Sequence, residues 1–211
     1  MVLPTLLAGI LAGVFVVLML LQLRDFLTLL PYLLDSLFRA RGSVALENSI
    51  PVSRMRYNIA FTLLIPFVLV LWRCRLWSPA FLQDWPASLQ FAALCGSVLL
   101  YLSLRYLMYR LLMPPRRADF YQLSHRVFLT HFILFCVLLF FPSFGVLNLA
   151  DAPEPVCKAV LLGESALFFF LLLLRRAQIL SLSCNPLRTF SYLCGIEILP
   201  AALWAASAAV L

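Results

Sequence analysis

The stretch VFLTHFILFCVLLFFPSFGVLNL, residues 127–149, contains no aspartate, glutamate, lysine or arginine. A helix of this length rises about 1.5 Å per residue and reaches about 35 Å, which is enough to cross the hydrocarbon core of a bilayer. Five other apolar runs have about this size, the second of them being the shortest; they cover residues 2–23, 58–72, 88–112, 157–174 and 189–211. We therefore expect a single all-α membrane domain, residues 1–211, with six transmembrane helices.

The composition leaves too little polar surface for a water-soluble protein of this size. Hydrophobic residues make up 64% of the 211 residues, and the formal net charge is +7 at pH 7. Because the basic residues flank the apolar runs, they are placed to meet anionic lipid headgroups. The lipid bilayer is thus the expected partner, and nucleic acid is not expected to bind.

The basic residues divide unequally between alternate connections. All but three of the sixteen lie in or beside the first, third and fifth connections, the exceptions being Arg73, Arg75 and Lys158. The positive-inside rule then predicts that both chain termini lie outside the cytoplasm. The four tryptophans fit this orientation as interfacial anchors, since they lie around the second connection or towards the outer end of the last span. They are Trp72, Trp77, Trp85 and Trp204.

The first connection begins with a largely apolar segment, residues 26–38, that closely follows the first span. A single helix over residues 2–38 would be about 56 Å long, well beyond one bilayer. We therefore predict a break at Arg24–Asp25 or at Pro31, with residues 26–38 forming a helix along the cytoplasmic interface. The alternative is a strongly tilted helix that projects into the cytoplasm. Residues 42–58 are expected to form a short polar loop.

A proline interrupts each of the second, fourth and sixth spans, which predicts a kink or a hinge at each position. The last span ends in an alanine-rich run in which Ala201, Ala205 and Ala209 share one face. Small side chains allow another helix to approach closely. This stripe is therefore a candidate contact surface for a helix of this chain or of a partner subunit.

Glu197 is the first candidate for an intramembrane polar site. It lies about eight residues into the sixth span, which is about 12 Å from the cytoplasmic edge at 1.5 Å per residue. Arg105 in the third span stands at a similar depth. A charge at this depth requires a partner or a change of protonation state. The sequence leaves two interpretations open: an ion pair that fixes helix packing, or a site for protons or substrate.

Glu164 lies in the fifth span with no obvious basic residue at its depth. It is a candidate for proton handling or for contact with a partner, although a hydrogen bond to a hydroxyl of a neighbouring helix would also satisfy it. His131, in the fourth span, is expected to be a packed polar residue, because it and His125 differ by about 240° around one helix and cannot ligate one haem together. Ser165 follows a glycine by two positions as in intramembrane serine proteases, but no histidine base is expected near it.

Two of the six cysteines, Cys74 and Cys157, fall at the outer edge of the predicted bundle. They can form a disulfide if the compartment is oxidising, or remain two unrelated thiols. The cysteines show no metal-binding spacing, and the sequence contains no glycine-rich phosphate loop or zinc signature. We therefore expect neither a metal nor a cofactor.

Two short motifs carry a resemblance to a known family. They are Leu23-Arg-Asp-Phe26 after the first span and the ending Phe190-Ser-Tyr-Leu-Cys-Gly-Ile-Glu-Ile-Leu-Pro200. With them the chain resembles an uncharacterised family of multi-pass inner-membrane proteins from Bacteroidota. The resemblance implies a location in the cytoplasmic (inner) membrane of a Gram-negative bacterium. It implies no activity and no catalytic residues.

The sparse intramembrane chemistry favours a non-enzymatic accessory, scaffold or assembly subunit of an inner-membrane protein complex, in contact with other membrane-protein subunits. One alternative is a small transporter or proton-coupled channel that uses Glu197, Arg105 and Glu164. A second alternative is an intramembrane lipid-modifying enzyme, for which one group of polar residues near the third connection is available. That group consists of Arg116, Arg117, Asp119, Tyr121 and His125.

Overall fold

The structure, a computed structural model, describes residues 2–38, 50–112, 118–181 and 185–209, with side chains described at 9–33, 52–111, 127–181, 185–187 and 189–207. These residues are almost entirely helical and include no β-strand. The helices are α1 (Val2–Phe38), α2 (Ile50–Arg73), a 3-10 turn (Ala80–Leu82), α3 (Ala87–Leu112), α4 (Ala118–Phe135), π1 (Cys136–Phe140), α5 (Phe141–Leu149), α6 (Glu154–Ser181), α7 (Pro186–Leu193), π2 (Cys194–Ile198) and α8 (Leu199–Ala209).

The predicted six-span architecture is confirmed. Within the described residues, six helical segments are long and apolar enough to cross a membrane: Gly9–Leu33, Val52–Arg73, Ala87–Leu111, Val127–Leu149, Glu154–Ser181 and Thr189–Ser207. We call them spans one to six. We call the bundle end at which spans one, three and five finish the arginine-rich end, and the bundle end at which spans two, four and six finish the termini end.

The predicted break after the first span is wrong, because residues 2–38 form one continuous helix with Pro31 inside it. Leu29 and Leu33 are each about 1% exposed and belong to the same buried cluster as Leu63 of α2. Continuing the helix with its i, i+4 spacing buries both leucines, whereas a turn at Arg24 would move them. Proline within a transmembrane helix is tolerated where neighbouring helices support it. A separate interfacial helix over residues 26–38 is therefore absent, and the continuous helix of the alternative prediction is present.

The predicted polar loop over residues 42–58 is also wrong in its second half. Helix α2 begins at Ile50, and residues 39–49 lie outside the described part of the chain. The helix extends through the basic residues because Arg56 points into the bundle, where it is 1% exposed and donates a hydrogen bond from Nη1 to Thr130 Oγ1 at 3.3 Å. The charge of Arg56 therefore marks a buried contact, whereas Arg54 on the same helix is exposed.

Two of the three predicted proline distortions are π-helical segments. The Phe141 N–H donates to the Cys136 carbonyl just before Pro142, and the Leu199 N–H donates to the Cys194 carbonyl just before Pro200. A proline ring clashes with the carbonyl four residues earlier, and a wider turn relieves that clash. Both segments read Cys-x5-Pro in the sequence. Pro66, in contrast, lies inside the uninterrupted helix α2.

The fourth span lies at the centre of the packing. Ile133, Cys136 and Phe140 are fully buried there, and Phe135 stacks on Phe168 of the fifth span with ring centroids 4.4 Å apart. Lipid chains are as apolar as these side chains, so close packing and polar contacts stabilise the bundle more than transfer from water does. The polar contacts between spans therefore contribute to the stability of the bundle.

Candidate functional site

Glu197 lies in π2 and is fully buried. Arg105 of α3 donates to both of its carboxylate oxygens: the Nε–Oε1 distance is 3.2 Å, the Nε–Oε2 distance is 3.3 Å and the Nη2–Oε1 distance is 3.1 Å. The structure thus brings together the two residues that sequence depth had placed at one level of the bilayer. Bidentate contacts of this kind are the stronger form of the arginine–carboxylate interaction.

A second arginine, Arg176 of α6, completes this group. It is fully buried, and its Nη1 donates to Glu197 Oε1. The sequence-based prediction assigned Arg176 to the connection after residue 174, which is wrong because α6 continues to Ser181. We call Arg105, Arg176 and Glu197 the charged triad.

The sequence does contain a signal for Arg176. Four buried residues of α6 follow the i, i+4, i+7, i+8 spacing of one helical face. They are Leu172, Arg176, Ile179 and Leu180. A search for the apolar stripe, rather than for the end of the apolar run, would have placed Arg176 inside the bundle.

The charged triad contains two formal positive charges and one negative charge. Arg105 also lies over the ring of Phe128, with Cζ 3.7 Å from the ring centroid, where the aromatic face attracts a cation. Buried charges are costly unless they are paired and hydrogen-bonded. The triad satisfies this condition by linking the third, fifth and sixth spans through one carboxylate, and π2 is the local distortion that carries that carboxylate.

A second polar contact links the second and fourth spans. Arg56 bonds to Thr130, and beside it His131 is 9% exposed with Nδ1 2.9 Å from the Val127 carbonyl oxygen. Because a carbonyl can only accept, Nδ1 carries the hydrogen and donates it. His131 is therefore placed as the packed polar residue that the sequence favoured.

Glu164 is half-buried in the fifth span, and its partner is a hydroxyl of the fourth span. Ser143 Oγ donates to Glu164 Oε1, whereas Glu164 Oε2 is buried and has no hydrogen-bond partner in the described residues. The hydroxyl bond was one of the alternatives that the sequence left open. Ser165, next in the chain, donates to the Leu161 carbonyl at 2.7 Å and is not presented as a nucleophile.

Cys74 and Cys157 are both free thiols and line one cavity of about 300 Å³ at the termini end. Burial raises the pKa of the Cys74 thiol, and the nearby Cys157 and Glu154 act in the same direction against the lowering effect of Arg73. The proposed bridge is thus not formed in this structure, although the two residues are neighbours. The described residues contain no group of three metal-ligating side chains.

The predicted tryptophan anchors divide into two kinds. Trp77 Nε1 donates to Ser207 Oγ at 3.0 Å and Trp204 Nε1 donates to Ser97 Oγ at 3.3 Å, so both join the sixth span to other parts of the protein. Trp72 packs edge-on against Phe91, and Trp85 is 46% exposed. Trp85 best fits a side chain that faces the headgroup region.

The small-residue surfaces are largely uncovered within this chain. Of the predicted stripe, Ala201 is half-buried, Ala205 is exposed, and the side chain of Ala209 lies outside the described residues. In α1, Gly9 and Gly13 are exposed, and a Cβ atom on either would meet no other atom within 4 Å. Sequence reasoning missed these two glycines, although their Gly-x3-Gly spacing is a recognised signal for helix association.

The polar residues considered for a lipid-modifying enzyme lie outside the described side chains, so that hypothesis stays a prediction. Comparison with protein-family models, curated proteins and solved structures finds no match to this chain. The assignment of a function therefore depends on the geometry of the chain itself.

Proposed function

We propose that this chain is a non-enzymatic assembly or scaffold subunit of a protein complex in the cytoplasmic membrane of a Gram-negative bacterium. The location is supported by the resemblance of the motifs around Asp25 and Glu197 to a family of inner-membrane proteins. The asymmetry of the basic residues supports an orientation with both termini outside the cytoplasm.

The uncovered face of the first span is the observation that carries this proposal. No residue in the most apolar 18-residue stretch of this span is buried within the chain. Gly9, Ala12 and Gly13 are exposed in that region, while Leu29 and Leu33 attach the other end of α1 to α2. Small residues one turn apart let two helix backbones approach closely, and among the described residues none occupies the space beside Gly9 and Gly13.

The charged triad supports a structural role for the remaining spans. Both carboxylate oxygens of Glu197 accept hydrogen bonds from arginine, so the carboxylate is committed to holding the third, fifth and sixth spans together. Such a cluster specifies one arrangement of helices. The result is a bundle in which one side of the first span packs against α2 and the glycine face of that span remains open to a partner.

The test is co-purification with a variant that blocks the glycine face. Replacing Gly9 and Gly13 together by leucine leaves the chain itself undisturbed, because open space surrounds both positions, but prevents close helix approach. We expect the wild type to co-purify with a stoichiometric membrane-protein partner identified by mass spectrometry, and the double variant to lose it.

Gly96→Leu is the matched control, since Gly96 is also exposed in a span and surrounded by open space but has no glycine one turn away. It should retain the partner. A wild-type protein that purifies alone in mild detergent, or a double variant that keeps its partner, would contradict the proposal.

Glu164 supports a second candidate function, proton-coupled transport. A carboxyl group within a span whose Oε2 is buried without a described partner is a typical feature of proton-binding sites in membrane proteins. If the chain is such a transporter, the isolated protein in liposomes should move protons, and Glu164→Gln should abolish the flux while Glu154→Gln, an exposed control, should not. If the isolated protein in liposomes shows no proton flux, the transport function is excluded and the subunit function remains.

A further inference from the structure

A cavity of about 500 Å³ lies at the termini end, between the end of α2, the 3-10 turn and the start of α3. Its volume is within the range of small-molecule sites, roughly 300–1,000 Å³. Leu82 and Leu94, each nearly fully buried, form apolar lining, and Trp72 and Trp77 add indole surface. The lining runs from Arg73 at the end of the second span to residues at the start of the third span, so the cavity lies at the edge of the apolar spans.

Charges of both signs line this cavity without neutralising each other. The side chains of Arg73 and Asp84 make no hydrogen bond or ion pair with any described residue. Arg75 is 3.9 Å from Glu154 in a solvent-exposed pair, a contact that is too long for a hydrogen bond. The cavity therefore offers two guanidinium groups and, separately, one carboxylate.

Gln90 adds a fixed polar group. Its Nε2 donates to the Gln83 carbonyl at 3.2 Å and to the Trp85 carbonyl at 2.9 Å. Both amide hydrogens are thereby used, so the amide oxygen remains as an acceptor. An ammonium group can therefore find the Asp84 carboxylate, the Gln90 amide oxygen and an indole face within one cavity.

The backbone holds Arg75 in place at an energetic cost. Arg75 has φ 47°, the left-handed conformation that glycine adopts most easily, and it follows α2 in a helix-ending turn closed by Leu76 N–H to the Leu71 carbonyl at 3.0 Å. For a residue with a side chain this conformation is strained, so Arg75 lies at a position that glycine would adopt more easily.

We propose that this cavity binds the headgroup of a zwitterionic phospholipid of the phosphoethanolamine class. The phosphate bonds to Arg73 and Arg75, since guanidinium groups match phosphate oxygens in geometry and charge. The ammonium group lies against Asp84 and Gln90, and the acyl chains leave along Leu94 towards the hydrocarbon core. This site is independent of the proposed subunit function, because none of the residues that line the cavity belongs to α1.

The experiment is native mass spectrometry of the delipidated full-length protein in detergent, titrated with phosphatidylethanolamine or phosphatidylglycerol of identical acyl chains. We expect tighter binding of phosphatidylethanolamine. Asp84→Asn should reduce that preference about tenfold, because one charge-assisted contact is lost, and Arg73→Gln should weaken both lipids about tenfold. Arg54→Gln, an exposed arginine of α2 at the other end of the bundle, should change neither lipid.

Equal binding of the two lipids by the wild type would overturn the proposal, as would an unchanged preference in Asp84→Asn. Arg73→Lys guards against a folding artefact, since it retains a positive charge and should recover part of the affinity lost in Arg73→Gln. Free phosphoethanolamine is the second probe. If it displaces the lipid at equal concentration, the site recognises a soluble compound and the phospholipid assignment is wrong.

Discussion

Among the carboxylates of the described residues, Glu197 is the one that accepts hydrogen bonds from two buried arginines at once. Removing its charge would leave Arg105 and Arg176 facing each other without compensation. Breaking a buried charge pair by removing one partner costs about 3–5 kcal/mol. The charge, more than the shape of the side chain, therefore determines the stability of this group.

We predict that Glu197→Gln lowers the free energy of unfolding by about 3–5 kcal/mol. Thermal unfolding of the purified protein in detergent is the measurement. Glu154→Gln is the matched control, since Glu154 is exposed and 3.9 Å from Arg75, and an exposed pair contributes about 0–1 kcal/mol. Equal melting temperatures of the two variants would show that the charged triad does not stabilise the bundle.

The pairing of Arg105 with Glu197 was predictable from sequence because both lie at a similar number of residues from the same membrane edge. Arg176 was not placed, because a drop in hydropathy was taken as the end of the fifth span. A helix does not end where its apolar run ends if the next turns can bury their charge against a partner, as Arg176 does against Glu197. The depth of a residue along its own helix could therefore be predicted from the sequence. The point at which α6 ends could not, because it depends on a contact with a different helix.

Helix α1 shows the same dependence at the scale of an element. Its charge at Arg24 and its proline at position 31 are ordinary break signals. They are overridden because Leu29 and Leu33, on either side of Pro31, are buried in one cluster with residues of α2. The local sequence predicted a turn, and tertiary packing favoured one continuous helix.

Electron-spin distance measurement can test this continuity. Labels at the exposed positions Ile10 and Tyr32, in a protein without its native cysteines, should be about 33 Å apart along one straight helix. A right-angle turn at Arg24 would shorten the distance to about 24 Å. A distribution centred on the shorter distance would restore the interfacial helix.

The prolines are a second example at the scale of an element. The sequence predicted a distortion at each of Pro66, Pro142 and Pro200 without distinguishing them. The structure places π-helical segments before only the last two, where Ser143 meets Glu164 and where Glu197 meets its arginines. A π-helical turn forms where it allows side chains to make favourable contacts with neighbouring helices. The presence of a proline alone therefore cannot predict it.

At the scale of the whole molecule, the chain has two unlike ends. The arginine-rich end includes buried Arg56 and the charged triad, while the termini end has tryptophans, two cavities and the exposed Arg75–Glu154 pair. The number of spans followed from apolar run lengths alone, since bilayer thickness constrains every helix in the same way. The cavities could not be predicted, because they arise between helices whose relative positions no single run specifies.

We also predict how these two ends are oriented in the membrane. Basic residues resist transfer across the membrane during insertion, so the arginine-rich end should remain in the cytoplasm. In a protein without its native cysteines, a single cysteine at exposed Ala80 should react in intact cells with a maleimide that cannot cross the inner membrane. One at exposed Ser181 should react only after the membrane is opened. The reverse labelling pattern would mean that the protein is inserted with the opposite orientation, and the cavity lined by Arg73 and Asp84 would then lie at the inner leaflet. Reaction at both positions in intact cells would contradict the predicted alternation of the spans.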